Sequence, residues 1–194
     1  MSSKSPPKKP KNLDCRSREY LSQQEITKLR KSARAVGRHG YRDDTLILLM
    51  FRHALRVSEA IALRWEQIDF SQGLLHVHRL KNGLPSTHPL RGQELRALRK
   101  LRRHYPQSSY LFVSERRAPL TARRVHSIIA RAGQNAGLPF SVHPHMLRHS
   151  TGFYLANRGH DTRAIQAYMG HANIKNTVRY TELSAQRFHD FWQD

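Results

Sequence analysis

The chain has 194 residues, 38% of them hydrophobic, and its 34 Lys+Arg against 14 Asp+Glu give a formal net charge of +20. That length suits one compact domain with a real buried core, and a cationic excess spread along the chain selects a polyanion as partner. The longest apolar run, residues 46–51, falls far short of the roughly 20 residues needed to span a bilayer, which sets a membrane-spanning role aside.

Residues 1–12 combine Lys4, Lys8, Lys9 and Lys11 with Pro6, Pro7 and Pro10 and hold no hydrophobic segment. The composition predicts a basic arm that stays disordered and is not a signal peptide. The expected organisation is an arm over residues 1–19 followed by one folded domain over 20–194. Cys15, the single cysteine, excludes an intrachain disulfide and fits a reducing compartment.

Ser22-Gln23-Gln24-Glu25 reads as a capping box and predicts a helix from there to about Gly37. Asp43 or Asp44 is expected to cap a second helix that runs through the apolar stretch to Ala54, and a third is expected over 58–67. Leu75, Val77 and Arg79 then alternate with Leu74, His76, His78 and Leu80, and Asn82-Gly83 follows. A period of two before an Asn-Gly turn signals a hairpin. Strands over 68–70, 74–80 and 86–90 are therefore expected to form an antiparallel sheet, with Lys81 beside its tightest turn.

Beyond the sheet the pattern is helical, apart from a short extended piece at 110–113. Leu95, Leu98 and Leu101 line one face of a helix whose other face carries Arg96, Arg99, Lys100, Arg102 and Arg103. Val125, Ile128, Ile129 and Ala132 follow helical spacing after a Thr121 cap. Pro144 suits the first position of a helix that bears His145, Arg148 and His149. Asp161 caps a short helix ending at Gly170, and Phe188, Phe191 and Trp192 give the last segment an apolar face. The fold class is mainly α with a small three-stranded antiparallel β-sheet.

His145-Met146-Leu147-Arg148-His149, then Gly170-His171, then Tyr180, gathers imidazoles, a guanidinium and a phenol near the C-terminus. With Arg56 and Lys81 from upstream, the set suits metal-free chemistry on a phosphodiester. Such a reaction needs its phosphate charge clamped, a nucleophile, and an acid for the departing oxygen. Arg56 lies in the apolar run Ala54-Leu55-Arg56-Val57, where a cation needs an anionic partner. A phosphate and a salt bridge to Glu59 satisfy that need equally well. The i, i+4 spacing of His145 and His149 admits a metal pair, but the sequence supplies no HExxH pattern, second cysteine or carboxylate cluster to complete it.

In this order and spacing, Leu55-Arg56-Val57-Ser58-Glu59, Lys81, His145-Met146-Leu147-Arg148-His149, Met169-Gly170-His171 and Tyr180-Thr181 resemble the tyrosine recombinases, the phage-integrase-like site-specific recombinases. The resemblance covers nearly everything from Tyr20 to Trp192. His78-Arg79-Leu80-Lys81, Thr87-His88-Pro89-Leu90 and His143-Pro144-His145-Met146-Leu147-Arg148-His149-Ser150 narrow it to the fimbrial phase-variation recombinases, DNA invertases that regulate transcription.

The resemblance implies a tyrosine recombinase catalytic domain without a separate N-terminal core-binding domain. It assigns Tyr180 as nucleophile, Arg56 and Arg148 as phosphate clamps assisted by His171, Lys81 as acid for the 5′ oxygen, His145 as acceptor or relay for the tyrosine proton, and Glu59 as an orienting residue. Cleavage through a 3′-phosphotyrosine needs neither metal nor ATP nor any other cofactor. The implied partners are double-stranded DNA with inverted repeats, a homotetramer on synapsed DNA, and DNA-bending accessory proteins, in a bacterial cytoplasm at the nucleoid. In the tetramer, the Phe188, Phe191 and Trp192 face would pack on a neighbouring subunit or on its own domain. Ala54 and Met169 depart from the glycine and leucine commoner in the family. A type IB topoisomerase-like nicking-closing enzyme and a non-enzymatic DNA-binding regulator are the alternatives.

Overall fold

The structure, a computed structural model, describes residues 19–79 and 83–182. The arm ahead of Glu19, Cys15, Lys81, and the Phe188, Phe191 and Trp192 face lie outside the described residues.

Helix α1 (Gln23–Ala35) begins at the Ser22 capping box: Ser22 accepts from the Glu25 amide, and the Glu25 carboxylate accepts from the Ser22 amide. Loss of such a cap costs about 1 kcal/mol. Helix α2 (Gly40–Arg52) starts earlier than expected. Asp43 and Asp44 lie inside it, where Asp43 accepts both Nε and Nη2 of Arg42 and Asp44 accepts Nε of Arg30. Ion pairing, not capping, is why two aspartates occur there.

Leu46, Ile47, Leu48, Leu49 and Met50 are all buried, so α2 is apolar around its whole circumference. A helix of that kind must run through the middle of a fold. Accordingly, α1 covers one side of it, while α4 (Gly92–His104) and α6 (Pro144–Ala156) cover others. Truncating Leu49 to Ala in such a setting costs about 2–5 kcal/mol.

The expected third helix divides in two. Helix α3 (Val57–Ala62) ends at Leu63, and a 3-10 turn, Trp65–Gln67, leads into β1 (Ile68–Asp69). Leu63 takes an extended backbone, and Arg64 bridges to Tyr110. Strand β2 (Leu74–Val77) pairs antiparallel with β1 and with β3 (Ser86–Pro89), in the order β1-β2-β3. Among the described residues, the last β2–β3 pair is Val77 with Ser86. Asn82 of the Asn-Gly signal lies outside the described residues. The alternation persists past the ladder: Leu75, Val77 and Arg79 point inward.

A buried polar chain ties β3 to the helices. The Glu94 carboxylate lies 2.7 Å from His53 Nε2, His53 Nδ1 lies 3.2 Å from His88 Nδ1, and His88 Nε2 lies 2.8 Å from the Ser86 hydroxyl. Helix α5 (Ala122–Asn135) starts at its Thr121 cap and buries Val125, Ile128, Ile129 and Ala132. Helix α7 (Thr162–Met169) starts at the Asp161 cap and ends at Gly170, whose φ of 65° closes it in the left-handed region. One helix was not expected: α8 (Lys175–Glu182), which carries Tyr180.

Two clusters of buried apolar side chains result. The larger runs from α1 through α2 and the sheet to α5 and the start of α6. The smaller joins Ala54, Phe153, Ala156, Ile165, Met169 and Tyr180. Tyr180 thus belongs to a core of its own, at the junction of α6, α7 and α8.

Candidate active site

Arg56 immediately precedes α3, and its extended backbone lets Glu59 close back on it. The Arg56 amide donates to Glu59 Oε2 at 2.9 Å, and its Nη1 donates to Oε1 at 2.6 Å. The salt bridge weighed from sequence is therefore formed. It leaves the Arg56 side chain 25% exposed, whereas the Glu59 side chain is sealed. Burial opposes the Glu59 charge, but the Arg56 amide, Arg79 and the Arg56 guanidinium outweigh it and hold the carboxyl below its ordinary pKa.

Arg148 projects from α6 into the interior. It donates through Nη1 to the Ala54 carbonyl and through Nη2 to the Met169 carbonyl at 2.8 Å. Ala54 has φ 51°, the left-handed conformation that favours glycine, and this turn aims its carbonyl at the guanidinium. Burial first, then Arg56 and Arg79, push the Arg148 pKa down to about 9, with Glu59 opposing. The site thus holds a cation it solvates poorly, which favours an arriving anion.

His171 follows the Gly170 turn, with Nδ1 2.9 Å from the Thr177 hydroxyl. Burial and the positive charges of Arg148, Arg56 and Arg79 press its pKa down to about 4, so it is neutral at pH 7. In the tautomer that accepts from Thr177 at Nδ1, the ring hydrogen is on Nε2, where it can be given to a phosphate oxygen.

Tyr180 is 2% exposed, and its ring meets Phe153 edge-on at 5.1 Å between centroids. Its hydroxyl lies 2.8 Å from Nδ1 of His149. Burial raises its pKa, with Arg148 and Arg179 pulling the other way. The His149 pKa falls to about 4 through burial, then Arg179, so the ring beside the phenol is neutral.

Arg56, Glu59, Arg148, His171 and Tyr180 therefore meet where α3, α6, α7 and α8 converge. His145 is exposed on α6, its ring centroid 6.5 Å from that of His149. Two residues to which sequence reasoning assigned no catalytic role also belong to this site. One is His149, whose helical spacing to His145 does not reveal which of the two faces a tyrosine on another helix. The other is Arg79, fully buried against Glu59. Its signal was the inward phase of the Leu75, Val77, Arg79 alternation.

A family model described as the phage integrase family matches residues 19–187. Type 1 fimbriae regulatory protein FimB of Escherichia coli K12 is 45% identical over 184 residues, covering 92% of each chain. FimE of the same organism is 40% identical over 182 residues, covering 91% of each. Tyrosine recombinase XerA of Pyrococcus furiosus is 36% identical over 93% of this chain and 61% of its own.

Among solved structures, a crystal structure of XerA recombinase matches with TM-score 0.76 and 26% identity over 89% of this chain and 63% of that one. XerH site-specific recombinase bound to difH substrate, a pre-cleavage complex, matches with TM-score 0.72 over 84% of this chain. At 23% identity it bears on the fold alone, and this chain spans only 50% of its length. The mostly helical architecture around a three-stranded sheet is that of the catalytic domain these proteins share, and the chain belongs to the phage integrase family, the tyrosine recombinases.

Proposed function

We propose that this protein is a site-specific DNA recombinase that inverts a promoter segment between inverted repeats and so controls fimbrial gene expression. The observation that carries the reading is the convergence of Arg56, Arg148, His171 and Tyr180 from separate elements on one site. The likeness to the fimbrial regulatory proteins supports the fimbrial setting.

The Tyr180 oxygen attacks the scissile phosphorus and gives its proton to His149 Nδ1. His145, next on the same helix face, relays that proton onward. A P–O bond to tyrosine forms, the P–O5′ bond breaks, and Lys81 protonates the departing 5′ oxygen. The product is a 3′-phosphotyrosine, which a 5′ hydroxyl from another strand reverses without ATP.

In the pentacoordinate transition state the phosphoryl group approaches two negative charges. Arg56, Arg79 and Arg148 against Glu59 are three cations to one anion, a surplus of two positive charges that matches it. His171 Nε2 adds a neutral donor to a non-bridging oxygen. Double-stranded DNA with inverted repeats is the substrate. The working assembly is a homotetramer on synapsed DNA, aided by DNA-bending proteins at the nucleoid, with residues 1–19 as a basic arm to a catalytic domain over 20–194.

The test uses a supercoiled plasmid carrying the segment flanked by inverted repeats beside the gene. Wild-type protein should invert it and leave a denaturant-resistant protein–DNA adduct, whereas Tyr180→Phe should bind the DNA and form none. Inversion by Tyr180→Phe would sink the mechanism. Relaxation of supercoils without inversion would point to a nicking-closing enzyme instead.

A further inference from the structure

The Arg79 side chain, beside the site, is 0% exposed. Its Nη1 donates to Glu59 Oε2 at 2.9 Å and to the Ala54 carbonyl at 3.3 Å. Its Nη2 donates to the His53 carbonyl at 3.1 Å and the Tyr168 carbonyl at 2.7 Å. A buried arginine can serve the fold alone, but these acceptors are not a random set. Glu59 shares its other oxygen with Arg56. The Ala54 carbonyl also accepts from Arg148, and the Tyr168 carbonyl adjoins the Met169 carbonyl that Arg148 uses.

Two glycines leave room for this side chain. A Cβ on Gly170 would stand 2.6 Å from Arg79 Cγ, and one on Gly83 would stand 2.6 Å from its Cβ. Gly170 directly precedes His171. Arg79 therefore reaches the end of α7 through a gap that a Cβ on either glycine would close. It touches what holds Arg56, what holds Arg148 and what precedes His171, while reaching no solvent.

We propose that Arg79 is a positioning residue that holds Arg56 and Arg148 in the geometry gripping the scissile phosphate, acting through Glu59 and the Ala54 carbonyl without touching DNA. The physical reason is charge sharing. With Arg79 on Oε2, the Glu59 carboxylate is divided between two guanidinia, and Arg56 keeps donors free for a phosphate. Without Arg79, one carboxylate faces one arginine and neutralises it. The Ala54 carbonyl, no longer held from below, loses the orientation it presents to Arg148. Lysine cannot replace the fork, since one ammonium cannot meet three backbone carbonyls from two segments and a carboxylate.

The inference rests on the recombinase reading, so the test compares variants with wild type on two substrates. Single-turnover adduct formation is measured on a half-site duplex of the inverted repeat, once with an ordinary scissile phosphate and once with a methylphosphonate, which is neutral in the ground state and carries one negative charge fewer in the transition state. Arg79→Lys and Arg79→Met should bind the duplex within about threefold of wild type, since no phosphate contact is removed. On the ordinary phosphate they should cleave about 100-fold or more slowly, the scale of losing one oxyanion donor. On the methylphosphonate the loss should shrink to about tenfold or less, because the clamp has less charge to stabilise.

Equal losses on both substrates would overturn the proposal and make Arg79 a residue of the fold only. So would failure of both variants to fold, read by circular dichroism and thermal melting, or unimpaired cleavage of the ordinary phosphate. Absence of any adduct with wild type would instead sink the recombinase reading itself.

Discussion

The hydroxyl of Tyr180 lies 2.8 Å from Nδ1 of His149, whereas His145, one turn earlier on the same helix, is exposed. A proton acceptor must be within hydrogen-bond reach of the proton it takes, and it must be neutral. His149 meets both conditions, because its pKa is pushed down to about 4. In single-turnover cleavage, His149→Gln should slow adduct formation by about 10²–10⁴-fold, the usual range for a general base. His145→Gln should cost less than about tenfold, as expected of a relay group that does not touch the phenol. The reverse ranking would return the proton to His145.

The Tyr180 ring lies close over Gly152 on α6. A Cβ there would stand 2.7 Å from two ring carbons of Tyr180 and 2.8 Å from a third. Neither the ring, wedged against Phe153, nor the backbone of α6 can retreat cheaply. Gly152→Ala should therefore destabilise the protein by about 1–3 kcal/mol through overpacking. Because the clash is with one side chain, the penalty should largely vanish in a Tyr180→Ala background, which a double-mutant cycle of thermal or urea unfolding reads directly. Additive effects would mean that the ring does not occupy this place.

Three imidazoles whose pKa values burial lowers set the acid side of the stability profile. The pKa of His88 is lowered to about 3 and those of His149 and His171 to about 4, in each case by burial first. Unfolded, each takes up its proton near 6.5. Between those values the unfolded chain binds protons that the folded chain refuses, so stability falls as pH drops from about 6.5 towards 4. Glu59 and Glu94, whose pKa values are lowered, add to the loss only below about 4.5. Unfolding followed by urea at pH 7.0, 6.0 and 5.0 should show a slope approaching three protons per molecule, and His149→Gln should reduce it by one. A flat profile across that range would place these rings in water.

Much of this arrangement was legible before any coordinates, and the remainder was hidden for physical reasons. The Ser22, Thr121 and Asp161 caps and Pro144 act within one turn, so α1, α5, α6 and α7 could be read from a few residues each. Arg56 could not be settled, since Glu59 and a phosphate both satisfy a cation there, and the structure shows the carboxylate taking one side of the guanidinium while the other remains open. Helix α8 escaped because Val178-Arg179-Tyr180-Thr181-Glu182 has β-branched residues, and because the cap that starts it, Asn173 accepting from the Lys175 amide at 2.9 Å, was not read as one. Its place comes from Thr177 and Tyr180 packing on α6 and α7, a tertiary effect that local propensity does not carry. Arg79 was visible as an inward-facing position of a strand, but the four acceptors waiting for it come from three distant segments.

Electrostatics should dominate encounter with DNA and can be tested apart from chemistry. Arg96, Arg99 and Arg103 on α4, and Arg123 and Arg124 at the start of α5, are exposed. By contrast, Arg42 and Arg79 are locked inside against Asp43 and Glu59 and cannot meet a phosphate. Free DNA carries condensed counterions, and each phosphate that a surface cation neutralises releases about one of them. Using Tyr180→Phe, so that covalent capture does not distort equilibrium, log affinity for a half-site duplex should fall linearly with log salt. A site meeting 6 to 10 phosphates should lose about 10³–10⁵ in affinity between about 50 and 200 mM. Charge removal at an exposed arginine that meets a phosphate should lower the slope by about one, whereas Arg79→Met should leave it unchanged, because that side chain never reaches the DNA. A shallower slope in Arg79→Met would mean that its guanidinium contacts the backbone after all.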